Sequence, residues 1–155
     1  MEYSGPLNDV RLEMIFKREL KRAKRHKEPL TLMYIEPALP VELPENLRDR
    51  AFRQITRAVR KILRDEDTEI AIGRRILLIL PETFPDGADA VEKRIREKIA
   101  TLTFTANETG LSFKAQLHLG KAHHPADGDT GEALMQKALS ELQAAKSAQA
   151  AEKSP

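Results

Sequence analysis

The chain has 155 residues, 41% of them hydrophobic and 32% charged, with a formal net charge of +2. Folding at this length hides roughly 70% of the unfolded chain's surface, so one domain with its own core is expected and a disordered chain is excluded. The absence of Cys and Trp, with aromatics at 5%, removes disulfide scaffolds, thiolate metal sites, cysteine nucleophiles and a base-stacking platform. The longest apolar run, Ile76–Leu80, falls far short of the roughly 20 residues that span a bilayer, and the opening MEYSGPLND has no signal-peptide character. A soluble cytoplasmic protein with no membrane partner is the expectation.

Residues 9–27 read as a helix, because Leu12, Ile15, Phe16, Leu20 and Ala23 recur at spacings of three and four. Asn8 or Asp9 would cap its start, and its other face is basic, with Lys17, Arg18, Lys21, Arg22, Lys24, Arg25 and Lys27. Residues 30–36, LTLMYIE, read as a buried strand. Pro37, Pro40 and Pro44 then mark a loop, since proline has no N–H and a fixed φ. Residues 46–64 keep a helical apolar period and are followed by the acidic run Asp65-Glu66-Asp67. Residues 68–72 and 75–80 read as two strands around a tight turn at Gly73-Arg74. The second of them, apolar on both faces, is central and ends at Pro81. A helix over 86–100, a strand over 112–122 and a helix over 130–147 complete the order α-β-loop-α-β-β-α-β-α. The domain spans 8–147, and the low-complexity segment 148–155 is expected to be a disordered tail. This pattern predicts an α/β sandwich, a mixed sheet with helices flanking its faces.

The segment RDEDTEIAIGRRILLILPET resembles the heart of a GGDEF domain, the diguanylate cyclase family, with Arg-x-x-Asp, a strand, the signature turn, an apolar strand and a proline. Ile72-Gly73-Arg74-Arg75-Ile76 stands where the signature should be. The likeness continues through FKRELKRAKRHKEPLTLMYIE, the KRIREKI of the third helix, LHLGKA and the closing ALMQKALSELQAAK. Asp49 matches the family's guanine-reading Asp. The fold implied is the GGDEF-like, nucleotidyl cyclase-like sandwich.

The resemblance implies a family that condenses two GTP molecules into cyclic di-GMP with divalent metal held by carboxylates. Glu36 matches one metal ligand. The turn that should supply the other carries Arg74 and Arg75, and guanidinium groups repel a cation. Ile72 replaces a glycine that lets the backbone approach phosphates, and the Pro-rich loop is shorter than the family's. A degenerate, non-catalytic member that needs no cofactor or metal is therefore expected. Its function is expected to be that of a regulatory protein-interaction module in bacterial signalling, docking a protein partner or self-associating, with Arg74, Arg75 and the loop at 37–45 as the surface. The first alternative is a cyclic di-GMP receptor. Arg64 and Asp67 match the family's inhibitory product site, and Arg94 or Arg96 matches an Arg that a neighbouring domain adds. The second alternative is residual GTP binding at Glu36 and Asp49. The basic face of the first helix reads as a solvated face rather than a nucleic-acid site. His123 and His124, adjacent on an extended segment, point to opposite faces and make no metal site, while His118 is expected to be packed or paired.

Overall fold

The computed structural model describes residues 6–106 and 110–153. The elements run α1 (Pro6–His26), β1 (Leu30–Ala38), α2 (Glu45–Arg60), β2 (Thr68–Ile72), β3 (Arg75–Pro81), α3 (Pro85–Thr101), β4 (Phe104–Ala106), β5 (Leu111–Phe113), β6 (Gln116–His124) and α4 (Gly131–Lys153). Four strands form a sheet in the order β2-β3-β1-β6, and every pairing in it is antiparallel. The strand directions are thus not mixed. The helical crossovers do join strands of like direction, β1 to β2 through α2 and β3 to β6 through α3. In each case a strand of opposite direction lies between them, which is the βαββαβ arrangement.

Side-chain alternation divides the core in two. Met33 and Ile35 of β1 pack with Ile55, Val59, Ile95 and Ile99 beneath α2 and α3. Leu30, Leu32 and Tyr34 pack with Leu12, Phe16, Leu134 and Leu142 beneath α1 and α4. The sheet is the middle of three layers, so Ile76–Leu80 of β3 is fully buried on both faces, which accounts for its unbroken apolar run.

Several boundaries differ from expectation for identifiable reasons. α1 begins at Pro6, so Asn8 and Asp9 lie within it instead of capping it, and proline's fixed φ suits a first helical turn. β1 continues through Pro37 to Ala38, because its pairing with β3 stops at Ile35, opposite Ile76 near the start of β3, and leaves Pro37 paired on one side alone, where a proline is tolerated. α2 ends at Arg60, after which Ile62 and Leu63 donate to carbonyls three residues back and tighten the chain. The strand expected over 112–122 is broken at Lys114-Ala115. Its first part, β5, pairs with β4 in a separate two-stranded sheet, where Phe104 and Phe113 stack with centroids 5.4 Å apart. α4 runs on to Lys153 through most of the segment 148–155 expected to be disordered, since Ala, Gln, Glu and Lys are strong helix formers. Ser154 and Pro155 lie outside the described residues.

Two details fix how α4 and β6 sit. At Gly120 of β6 the backbone of α4 comes so close that a Cβ would fall on the Ala138 carbonyl and the Leu142 amide, and 3.0 Å from Leu142 Cα. The outer edge of β6 is also covered by side chains. Arg96 donates to the Leu117 carbonyl at 3.0 Å, Glu141 accepts from the Lys121 amide at 3.2 Å and Asp127 accepts from the His123 amide at 2.8 Å. Side chains on these groups obstruct the addition of a further strand.

Candidate functional site

The β2–β3 hairpin closes on two loop residues, with Ile72 opposite Arg75. Gly73 has φ +59 and Arg74 has no positive φ, the pattern of a type II′ turn. This geometry sets Arg74 and Arg75 between the end of β1, the start of α2 and α4. Arg74 donates to Glu45 at 2.5 Å and to Asp49 at 2.8 Å, both in the first two turns of α2. Arg75 donates to one oxygen of Glu36 at 2.7 Å, and Lys146 of α4 takes the other at 2.6 Å. Three cations and three carboxylates thus neutralise one another.

The structure therefore brings Glu36, Asp49, Arg74 and Arg75 together, and it adds Glu45 and Lys146, which the sequence reading missed. Glu45 could have been suspected as an acid in the first turn of a helix. Lys146 carried only its place in the closing helix. The arginines are not the free exposed pair expected for an acidic partner, because each is turned toward an acid of this chain. Burial alone would raise the Glu36 carboxyl, but hydrogen bonds from Lys146 and Arg75 outweigh it and hold the group below its ordinary value of 4.5. Glu36 is ionised at neutral pH, and both its oxygens are engaged by cations. A divalent metal there would have to displace Arg75 and Lys146 and sit beside Arg74, so the residues present do not fit a metal.

The loop before α2 is pinned by a residue that composition alone did not mark. Arg48 donates to the carbonyls of Leu43 at 2.9 Å and of Pro40 and Val41 at 2.7 Å. Leu43 is tucked against Leu47, and Val41 is left exposed at the tip.

Arg64 and Asp67 meet on the far side of α2's end. The Asp67 carboxylate accepts from the Arg64 amide at 2.8 Å and from its guanidinium at 2.9 and 3.3 Å. Arg64 also donates to the Pro81 carbonyl at 2.7 Å and to Thr83 at 3.0 Å. The hydrogen bond to Asp67 raises the Arg64 pKa. Only 2% of the Asp67 side chain is exposed, against 46% for Arg64. The pair joins the α2–β2 turn to the end of β3. Arg94 stands exposed on α3 outside this network, without an ion-pair partner among the described residues. Arg96 is bound to Glu92 and the Leu117 carbonyl.

His123 is held to Thr31 at 3.0 Å and His124 to the Gly128 carbonyl at 3.2 Å. Among the described residues no three potential metal ligands converge, and no helix is long and apolar enough to cross a membrane.

The family model for the diguanylate cyclase GGDEF domain matches residues 42–152. No curated protein matches the chain. Among solved structures, the FimX GGDEF domain from Pseudomonas aeruginosa superposes with a TM-score of 0.79 at 20% identity, covering 93% of this chain and 88% of that one. The GGDEF domain of YfiN (TpbB) from the same organism gives 0.72 at 23% identity, with 88% of each chain covered. The P. aeruginosa cyclase SiaD, in complex with its activator SiaC, gives 0.75 at 23% identity, covering 90% of this chain and 54% of SiaD. Likeness at these identities speaks to the fold.

Proposed function

The chain belongs to the diguanylate cyclase GGDEF domain family, and on that premise we propose that it is a non-catalytic member, a regulatory module acting by contact with a protein partner or with a second copy of itself. The observation that carries this reading is the Glu36–Arg75–Lys146 cluster. A carboxylate that would have to hold metal is neutralised at both oxygens by cations of its own chain. The second carboxylate of interest, Asp49, is bound by Arg74. Residual GTP binding would need both clusters to open. The receptor reading gains no support from a nearly buried Asp67 whose carboxylate is bonded to Arg64. Protein contact as a mode of control has a precedent among proteins with this fold, since SiaD forms a complex with its activator SiaC. The pinned loop with Val41 at its tip offers a preformed contact point, because ordering entropy is lost in folding and not again in binding.

Incubation of the protein with GTP and Mg²⁺ or Mn²⁺, with products separated by chromatography, should yield no cyclic di-GMP above a blank. Product that forms and then disappears in Glu36→Ala would contradict the proposal.

A further inference from the structure

Some cations of this protein sit in ion pairs, as at Arg60, Arg74, Arg96 and Lys121, while others, Arg53, Arg57 and Arg94 among them, have no ion-pair partner among the described residues. α1 stands out by its net charge. Between Pro6 and Lys27 eight cations face three acids, a net of +5, against +2 for the whole chain, so the remainder is net −3. Leu12, Phe16, Leu20 and Ala23 are buried against the sheet. That places Met14, Lys17, Arg18, Lys21 and Arg25 in one outward stripe at spacings of three and four, about 16 Å long. Each of the five is exposed, and none of the four cations has an ion-pair partner among the described residues. Glu19 lies off the stripe, and Glu13, one turn before Lys17, lies at its edge. Met14 is 67% exposed and floors an open groove with the stems of Lys17, Arg18 and Lys21.

We propose that this face of α1 docks the domain reversibly on an anionic lipid surface, with Lys17, Arg18, Lys21 and Arg25 facing the headgroups and Met14 entering them. Three features favour a lipid surface over a protein or nucleic acid. Lysine ammonium groups are strongly hydrated and are depleted from protein interfaces, whereas attraction to a charged lipid layer leaves them wet. Concentrating positive charge on one helix face, while the remainder of the chain carries a small net negative charge, orients the domain toward a plane of negative charge. The apolar face of α1 is already buried, so the helix cannot insert, and one exposed methionine beside a polybasic stripe gives a weak surface contact. This inference does not depend on the loss of cyclase activity, and the GTP assay leaves it untouched.

The test is co-sedimentation of the full chain with vesicles of phosphatidylcholine alone or mixed with phosphatidylglycerol, at physiological and at high salt. Binding is expected to the mixed vesicles only, and to be lost at high salt as charges are screened. Each unit of charge removed should weaken partitioning about fivefold, so Lys17→Glu/Lys21→Glu should lower it on the order of a hundredfold or more. Arg53→Glu/Arg57→Glu, the same change of net charge on α2, should have a far smaller effect. Lys17→Gln/Lys21→Gln serves as a second pair with no reversed charge, and circular dichroism checks the fold of each variant. Equal binding to neutral vesicles, unchanged binding in the α1 variants, or duplex DNA competing the protein off the mixed vesicles would overturn the proposal.

Discussion

Replacing Gly120 by alanine should cost about 3 kcal/mol or more, at the upper end of what overpacking does. The cause is steric and cannot be relieved by a rotamer change. The new methyl would meet the Ala138 carbonyl and the Leu142 amide, which are backbone atoms in the middle of α4. Relief would require α4 to lift from β6, and with it Leu134, Ala138 and Leu142 from the core they share with Leu32 and Tyr34. Urea unfolding checks this, with Gly87→Ala as the contrast. In α3, Gly87 has only an ordinary 3.4 Å contact to the Thr83 methyl ahead of it, so alanine there should be neutral or stabilising by up to about 1 kcal/mol. A Gly120→Ala protein within about 1 kcal/mol of the wild type would mean that α4 is not seated on β6 at this glycine.

The second large effect is expected at the hairpin. Arg75→Glu removes a guanidinium bonded to Glu36 and puts a like charge in its place. The variant should unfold at a lower temperature than the wild type, because two carboxylates then share one partly buried site with Lys146 as their remaining counter-charge. It should recover with millimolar Mg²⁺ or Mn²⁺, since paired carboxylates are what such cations bind. A concentration tenfold above the dissociation constant returns about 1.4 kcal/mol. The wild type should show no such response. Differential scanning fluorimetry with and without the metals reads both effects. A variant that neither loses stability nor responds to metal would show that Arg75 is not what closes this site.

The parts of the fold legible from residue pattern alone were those dictated by burial on both faces or by short-range geometry. Ile76–Leu80 could only be a central strand, and the Gly73-Arg74 turn fixed both ends of its hairpin. The β4–β5 pair escaped because three-residue strands show too little alternation to separate from loop. The end of α4 escaped because its low-complexity composition is that of a frayed tail, yet Ala and Gln also favour helix. In the site, Arg64 and Asp67 were legible as a spacing, being three residues apart. What that spacing did was not legible, because their further partners, Pro81 and Thr83, come from across the fold. Glu36, Asp49 and the two arginines were each singled out, but nothing in the linear order pairs Arg74 with α2 or Lys146 with β1. Those contacts exist only after the sheet has brought the hairpin tip beside the end of β1. The glycine of LHLGKA was likewise visible as a motif, while the helix lying on it was not.

The proposed function rests on Arg74, Arg75 and Lys146 closing Glu36, Glu45 and Asp49 to metal and nucleotide. Calorimetric titration of the wild-type protein with GTP in the presence of Mg²⁺ tests it most directly. The claim predicts no saturable heat up to millimolar nucleotide. Saturable binding with a micromolar dissociation constant, abolished by Asp49→Ala or Glu36→Ala, would contradict it.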